Sequence, residues 1–304
     1  MRLDVHQHLW SEPLVKALAR RASAPRVRRD GCRWMLELAA EPPSPIDVAG
    51  DAPDRRAALV CMDGLDRALL SLSGALGVEG LPPDEARELI GAYAAGVADA
   101  GAPFGTWGAL ALSDATPADV DASLDGGSVG ICVPAGALST PAALDRSGPL
   151  LEALERRDAP LFVHPGPDPW TERNGTVDAP PWWAAMTDYV AGMNAAWHAF
   201  VARGRAAHPR LRVVFAMLAG CAPLHLERLT ARGGPIAAAR DRLLFYDTSS
   251  YGPAAIDAMV ATVGIEQLVH GSDRPVVAPA LPPAGAWWDA LVQRNPARLL
   301  GAPA

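Results

Sequence analysis

The chain has 304 residues, of which half are hydrophobic and a fifth are charged, and its formal net charge is −7. This composition is typical of a globular protein with a sizeable core, and the acidic balance argues against nucleic acid as the main partner. No stretch approaches the roughly 20 apolar residues that span a bilayer, and the N-terminus lacks the pattern of a signal peptide. The four cysteines form no CxxC pair, so we expect a reduced, cytoplasmic protein.

Short apolar runs recur along the chain, and each is followed by an amphipathic or alanine-rich segment. The strand candidates are 3–6, 66–73, 104–112, 128–134, 159–164, 212–217, 243–249 and 267–273. They are short and continuously apolar, as strands buried on both faces are. The helix candidates between them are 54–62, 83–101, 116–124, 140–158, 182–207, 223–232, 252–263 and 284–300.

Eight β-then-α units in a chain of this length predict an α/β fold with a single (β/α)8 TIM-type barrel over residues 1–304. The alternative is an open doubly wound sheet. That fold usually carries a glycine fingerprint after its first strand, whereas here the first strand runs into His-Gln-His. We therefore prefer the barrel.

The segment at about 10–53 fits neither a strand nor a helix pattern. It is rich in proline, arginine and alanine and only weakly periodic, so we interpret it as a loop excursion over the barrel mouth. Its basic cluster comprises Arg26, Arg28, Arg29 and Arg33. We favour a solvated loop for this cluster over the capture of an anionic substrate, for which arginine would also be suited.

Two histidines stand at the end of the first predicted strand. His6 and His8 are two residues apart, so their side chains point to the same side of the strand, at the barrel end that carries active sites. His164 ends the fifth strand candidate and Asp273 the eighth. Each residue alone has an ordinary explanation, such as an exposed pair, a capped core histidine or a loop carboxylate. Together at strand ends, three histidines and one carboxylate match a Zn²⁺ ligand set.

Several motifs, in order along nearly the whole chain, carry a family resemblance. They are "DVHQHLW", "CMDGLDRALLSLS", "LFVHPG", "LVHGSDRPV" and "NPARLLG". With these the chain resembles the amidohydrolase-related (amidohydrolase 2) family of the amidohydrolase superfamily, whose members include aminocarboxymuconate-semialdehyde decarboxylase and γ-resorcylate decarboxylase. The resemblance implies one divalent metal ion, zinc or alternatively manganese, held by His6, His8, His164 and Asp273 at the C-terminal ends of the strands.

The sequence departs from the family pattern at the end of the sixth strand. Family members usually have a histidine there, which activates metal-bound water or moves protons, and this chain has Met217 in "VVFAMLAGCAP". A thioether has no titratable proton and is a poor ligand for Zn²⁺ or Mn²⁺ in a nitrogen and oxygen site, so we expect Met217 to pack as an apolar wall of the substrate pocket. Asp273, a carboxylate, is then the candidate catalytic proton carrier.

The other histidines do not replace the missing base. We expect His270 to point toward the outer helices, and His198, His208 and His225 to lie at the surface.

Aromatic and basic residues are the remaining candidates for substrate contacts. Trp10 follows the metal-binding histidines directly, and Pro181-Trp182 is similar to a family Pro-Trp that contacts substrate. Arg228 matches a family arginine that reaches into the neighbouring subunit to bind a substrate carboxylate, which implies a homodimer; a surface ion pair is the alternative for this residue.

The resemblance favours a metal-dependent lyase, a non-redox decarboxylase of a small aromatic or unsaturated carboxylic acid. A metal-dependent hydrolase of a lactone or amide is the first alternative, weakened by Met217. The second is a divergent protein without ordinary activity, acting as a cyclase or isomerase in a specialised pathway or as a non-catalytic binder.

Overall fold

The computed structural model describes residues 1–171, 179–235, 237, 241–277 and 286–301. Its strands are β1 Leu3–Gln7, β2 Arg26–Asp30, β3 Arg33–Glu37, β4 Ser44–Ile46, β5 Arg67–Leu70, β6 Phe104–Thr106, β7 Ile131–Pro134, β8 Leu161–His164, β9 Val213–Phe215, β10 Leu244–Asp247 and β11 Leu268–Val269. Its α-helices are α1 Glu12–Ala19, α2 Pro53–Met62, α3 Pro83–Ala100, α4 Pro117–Asp125, α5 Pro141–Arg156, α6 Trp183–Met186, α7 Asp188–Ala199, α8 Arg205–Ala207, α9 Leu226–Ala231, α10 Pro253–Val263, α11 Ala286–Asp289 and α12 Asn295–Leu299.

Eight parallel strands form the centre of the molecule. Strands β1, β5 and β6 make one sheet, and β7 to β11 make a second in sequential order. Parallel bridges between Gly108 and Ile131 and between Gln7 and Arg274 join the two sheets on both sides. The ring of strands is therefore closed, and the predicted (β/α)8 barrel is confirmed, with every strand candidate contributing one strand.

The helices begin where the sequence places capping residues and proline. Thr116 and Asp119 form a capping box at the start of α4, and the Thr140 hydroxyl accepts the N–H of Ala143 at the start of α5. Ala86, Leu89 and Tyr93 recur along α3 and are buried, which fastens this helix to the barrel.

Three predicted helices differ from the structure: two are interrupted and one is shorter than predicted. The predicted helix 182–207 consists of α6, α7, a π-helical turn at Phe200–Gly204 and α8. A second π-helical turn, Ala290–Arg294, joins α11 to α12, and residues 284–285 of that prediction lie outside the described residues. The predicted helix 223–232 starts only at Leu226, because the preceding residues form a tight irregular turn.

The segment 10–53 has more regular structure than the predicted loop. It contains α1 and an antiparallel sheet in the order β2-β3-β4. The prediction missed these strands because β2 reads Arg-Val-Arg-Arg-Asp, with one buried side chain. Three residues of the basic cluster have protein partners. Arg26 and Arg28 pair with Glu37 at 2.5 and 3.5 Å, and Arg29 lies 3.9 Å from the Trp34 ring centre.

The segment packs against the carboxyl end of the barrel. Trp10, Leu14 and Leu18 form one apolar cluster with Leu72 and Leu76 from the loop that follows β5. The carboxyl ends of the neighbouring strands are therefore covered on this side.

Inside the barrel, aromatic side chains fill the layer next to the carboxyl end. Trp107 and Phe162 pack with ring centres 5.1 Å apart, and the Trp107 indole N–H donates to the Val5 carbonyl at 2.8 Å. The Phe162 ring lies 5.0 Å from the His6 ring. The polar groups at the barrel mouth therefore pack on a layer of aromatic side chains. Among the described residues, no helix has the length and apolar character needed to cross a membrane.

Candidate metal centre

Four buried side chains from three parts of the barrel meet at its carboxyl end. His6 and His8 come from the end of β1, His164 ends β8, and Asp273 follows β11. One ligand atom from each lies within 4.8 Å of all the others, and each residue is 8 % exposed or less. The structure thus brings together the four residues that the sequence singled out, and this group could hold a metal ion.

The distances in the cluster fit a single small cation. The Nε2 atom of His8 lies 3.2 Å from Nε2 of His6 and 3.2 Å from Nε2 of His164. The Asp273 Oδ1 atom lies 3.2 Å from His8 Nε2 and 3.5 Å from His6 Nε2. Ligand atoms about 2.0–2.1 Å from one ion in a tetrahedral arrangement lie about 3.3 Å apart, close to these separations.

The opposite ring nitrogens fix the orientation of the imidazoles. Nδ1 of His8 lies 2.8 Å from the Ser71 carbonyl oxygen, and Nδ1 of His164 lies 2.7 Å from that of Pro165. Nδ1 of His6 lies 2.7 Å from a carboxylate oxygen of Asp247. These oxygens are acceptors, so each Nδ1 carries a proton, and each Nε2 is left as the ring atom that a metal ion could bind. This is the tautomer that a metal site requires.

Asp247 is a further residue of the candidate site, and the sequence did not predict it. It ends β10 at the same rim, is fully buried, and accepts from His6 through Oδ2. Its Oδ1 accepts the backbone N–H groups of Met217 at 3.0 Å and Ser249 at 2.9 Å. The available signal was its place at the end of the seventh strand candidate, in "LLFYDTS", where an inward carboxylate would join the histidines.

Without a metal ion, the pKa values of the clustered residues are shifted in different directions. Burial lowers the pKa of His6, but the charges of Asp247 and Asp273 and the bond to Asp247 outweigh burial and raise it to about 9. Burial and the positive charges of His6 and His8 hold the pKa of His164 well below its usual range. Burial raises the pKa of Asp273, but the charges of His6 and His8 outweigh it and lower that pKa. The centre thus retains positive charge that a cation could replace.

Met217 lies in a left-handed turn directly beside the centre. The residues from Met217 to Cys221 all have φ between +49° and +59°, including four that are not glycine. Such a run is strained for L-residues and persists only where surrounding contacts hold it. The Met217 N–H is anchored on Asp247, and the residue is 9 % exposed. Position 217 therefore supports the centre through its backbone and presents no titratable side chain.

The two tryptophans predicted to contact substrate lie in different surroundings. Trp10 is buried in the apolar cluster beside His8, and its backbone N–H donates to Asp51 at 2.7 Å. Trp182 is 58 % exposed and packs on Trp183, with ring centres 5.8 Å apart. The segment 172–178, between β8 and Trp182, lies outside the described residues.

Arg228 lies away from the buried cluster. It is exposed on α9, where it lines a groove together with Asn194, His198, His225, Leu229 and Arg232. No ion pair of Arg228 occurs among the described residues, so the predicted alternative of a surface ion pair is not seen in that part of the chain.

The remaining histidines do not join the cluster. His270 faces the Trp288 ring at 4.8 Å and Asp4 at 3.8 Å, so it points away from the metal centre as expected. His225 is exposed and His198 is half-buried. His208 is only 8 % exposed, so the expectation of a surface position is wrong. The chain turns inward there at the end of α8, where Arg205 donates to the His208 carbonyl.

Solved structures share this fold over nearly the entire chain. IDCase from Metarhizium anisopliae is 18 % identical with a TM-score of 0.75, covering 99 % of this chain and 97 % of that one. The 5-carboxyvanillate decarboxylase LigW from Sphingomonas paucimobilis is 20 % identical with a TM-score of 0.71, covering 99 % of both. A 5-carboxyvanillate decarboxylase from Novosphingobium aromaticivorans, complexed with manganese and 4-hydroxy-3-methoxy-5-nitrobenzoic acid, is 17 % identical with a TM-score of 0.72, covering 99 % and 96 %.

At these identities the likeness establishes the fold. No family model matches the chain, and no curated protein matches it. The similar structures are nevertheless of the kind that the sequence motifs indicated, since they include decarboxylases and a protein described as amidohydrolase II.

Proposed function

We propose that this protein is a metal-dependent enzyme of the amidohydrolase-related type that releases CO₂ from a small aromatic or unsaturated carboxylic acid without redox chemistry. One observation carries the proposal. Three imidazole Nε2 atoms and one carboxylate oxygen converge at the active-site end of a (β/α)8 barrel, and each Nδ1 atom is held by an acceptor. The decarboxylases among the similar structures support the choice of reaction.

His6, His8, His164 and Asp273 would hold one divalent ion. Three nitrogen ligands and one oxygen favour zinc, and the manganese in a similar decarboxylase makes manganese the alternative. When bound, the ion would supply Lewis-acid polarisation of a substrate oxygen. The ring orientations set by Asp247, Ser71 and Pro165 keep the four ligand atoms aimed at one point.

Met217 favours decarboxylation over hydrolysis. In the family that the sequence resembles, water activation normally uses the strand-six histidine as its base, and the buried Met217 side chain at that position cannot take a proton. Loss of CO₂ needs a proton delivered to carbon and no attacking water. The proposed proton carrier is Asp273, whose Oδ1 belongs to the ligand cluster while its Oδ2 accepts from the Ser250 hydroxyl at 3.3 Å. Oδ2 is the atom that would hold the proton, and the Ser250 hydroxyl would then accept from it instead of donating.

Substrate contacts and assembly are part of the same proposal. Trp10 and Met217 would provide apolar surface beside the centre, and Trp182 would contact an aromatic ring from the loop after β8. Arg228 would bind a carboxylate across the interface of a homodimer, which its exposed position on α9 allows. We also propose that the chain is one domain and cytoplasmic, since Cys32, Cys61, Cys132 and Cys221 are all free thiols.

The test measures CO₂ release from a panel of hydroxybenzoates and unsaturated carboxylic acids, with parallel assays of lactones and amides. The purified protein is stripped with a chelator and reloaded with Zn²⁺ or Mn²⁺. We expect metal-dependent CO₂ release that Asp273→Asn abolishes and that Asp241→Asn, at an ion pair with Arg205, retains. Opening of lactones without CO₂ release would replace the lyase by the hydrolase. Absence of metal, with no effect of added metal, would overturn both.

A further inference from the structure

Helix α2 touches the strand ends behind the metal centre through a buried arginine. The Arg56 side chain is 2 % exposed, and it donates to the His8 carbonyl and to the Asp51 carboxylate, both at 2.8 Å. It also donates to the Gln7 side chain at 2.5 Å and reaches the Arg274 carbonyl at 3.4 Å. One guanidinium thus contacts the backbone at His8, directly after β1, and at Arg274, in the segment after β11.

The contact continues through a buried hydrogen-bond network. The Gln7 amide that accepts from Arg56 donates to Asp4 at 2.8 Å. Asp4 accepts the backbone N–H of His6 at 3.0 Å and that of Ser272 at 3.1 Å. The network therefore also bonds to the backbone at His6 and Ser272. His6, His8 and the segment that contains Asp273 are thus joined by one set of buried hydrogen bonds.

The Asp273 segment needs such support. Strand β11 has two residues, and Asp273 follows it outside any regular strand with φ at +58°, a left-handed conformation that costs energy for a non-glycine residue. Its backbone is joined to β1 by Asp273 N–H donating to the His6 carbonyl at 2.9 Å and by His8 N–H donating to the Arg274 carbonyl at 2.6 Å. Few backbone bonds therefore hold this ligand in place.

The C-terminal end of helix α2 also contacts the segment that contains Asp273. Asp63, which follows the last residue of α2, accepts two N–H groups of the Arg274 guanidinium at 3.0 and 3.2 Å. Arg274 is the residue after Asp273. Helix α2 thus contacts the end of β1 through Arg56 and the segment after β11 through Asp63.

We propose that helix α2 positions the metal centre: Arg56 and Asp63 hold the His6–His8 strand end and the Asp273 segment at the separation that one ion requires. The inference rests on the proposed metal centre. Arg56 and Asp63 do not touch the ligand atoms, so they are positioning residues. Removal of groups that orient metal ligands typically weakens metal binding by about 10–100-fold.

The experiment measures Zn²⁺ affinity of the folded, metal-free full chain by competition with a chelator, and compares visible spectra after Co²⁺ loading. Arg56→Lys keeps the charge beside Asp51 but loses the planar fork that reaches several acceptors. Asp63→Ala removes the partner of Arg274 at a partly exposed position. The matched control is Arg205→Lys, since Arg205 donates to Asp241 at 2.6 Å and to two backbone carbonyls at 2.8 Å away from the centre.

We expect Arg56→Lys to weaken Zn²⁺ binding by about 10–100-fold and to alter the Co²⁺ spectrum, and Asp63→Ala to weaken binding by about 10-fold. Arg205→Lys should lower the melting temperature without changing metal affinity. Equal affinity in wild type, Arg56→Lys and Asp63→Ala would overturn the inference, as would an equal loss in Arg205→Lys. If Arg56→Lys does not fold, Asp63→Ala decides. A wild-type chain that binds no Zn²⁺ or Co²⁺ would instead overturn the metal centre itself.

Discussion

The Nδ1 atom of His6 and the Oδ2 atom of Asp247 lie 2.7 Å apart, and their side chains are 1 % and 0 % exposed. This pair orients the His6 ring and also links it to the backbone of the turn at Met217, because Asp247 accepts that N–H with its other oxygen. The candidate metal ligand His6, the carboxylate that orients its ring and the turn that follows β9 are therefore joined by hydrogen bonds.

Asp247→Asn should weaken divalent metal binding by about 10–100-fold, because the neutral amide no longer stabilises the Nδ1–H of His6 as a carboxylate does. Chelator competition with Zn²⁺ measures the change. Asp241→Asn is the control, since Asp241 pairs with Arg205 away from the centre. Unchanged affinity in Asp247→Asn would show that the pair is structural only.

Metal binding should depend on pH through His6. With its pKa raised to about 9, His6 carries a proton in the metal-free protein below that pH, and the incoming metal must displace it. The apparent affinity should therefore rise about tenfold per pH unit and level off near pH 9 as far as His6 is concerned. Calorimetry in buffers of different ionisation enthalpy counts the released proton. Asp247→Asn should lower the pKa of His6, so the rise of metal affinity with pH should level off at a lower pH in this variant.

The same shift predicts the stability of the metal-free chain. A group whose pKa rises from 6.5 unfolded to about 9 folded contributes stability that is complete below pH 6.5 and is lost as pH rises through 9. Urea unfolding across this range should show the loss without metal and a smaller loss with Zn²⁺ bound. Stability that rises from pH 7 to 9 in the metal-free chain would contradict the assignment.

Glu79 should lower the stability of the protein as the pH rises from 4.5 to about 8. Both carboxyl oxygens are buried, and burial, partly offset by a hydrogen bond from its own backbone amide, raises the pKa of Glu79 from 4.5 to about 8. Between these values the unfolded chain releases the proton and the folded chain keeps it, so stability falls by up to about 1.4 kcal/mol per pH unit. Glu79→Gln should therefore be more stable than wild type at pH 8 and comparable below pH 4.5. The exposed Glu227→Gln is the control, and a parallel pH profile for both variants would refute the prediction.

Gly271 allows the chain after β11 to pass close to the His6–Asp247 pair. A Cβ atom there would lie 2.8 Å from the Asp247 Cγ and 2.9 Å from the His6 Cβ. Gly271→Ala should cost about 1–3 kcal/mol and weaken metal binding, because the pair must shift. Gly91→Ala, in α3 with open space around it, should stabilise by about 0.5–1 kcal/mol. Urea unfolding of both variants measures the two changes in stability. Unchanged stability in Gly271→Ala would contradict the prediction.

Met217→Leu should retain CO₂ release and change stability by less than about 1.5 kcal/mol, since it keeps apolar volume and the N–H that Asp247 accepts. Steady-state assays of CO₂ release measure the effect, and Asp273→Asn, assayed in parallel, shows how large a full loss of activity is. A loss as large as that of Asp273→Asn would mean that the thioether takes part in the chemistry.

The barrel and its four converging side chains were predictable from the sequence because they depend on local patterns. Apolar runs alternating with helix patterns specify β/α units, and parallel strands all end at one rim, so residues at strand ends such as His164 and Asp273 meet without knowledge of the packing. The strands of segment 10–53 escaped because β2 is mostly arginine and lacks an apolar alternation. His208 was misplaced because burial at a helix end depends on where the chain turns next.

By itself, the sequence determined the order of the β/α units, the set of candidate ligands and the absence of a titratable side chain at Met217. Only the tertiary structure decided how those ligands are oriented. The groups that orient them are carbonyl oxygens of Ser71 and Pro165, the carboxylate of Asp247, and Arg56 on a helix distant in sequence. The physical reason is that a backbone carbonyl has no residue-specific signature, and a buried charge finds its partners across elements that meet only when the barrel closes.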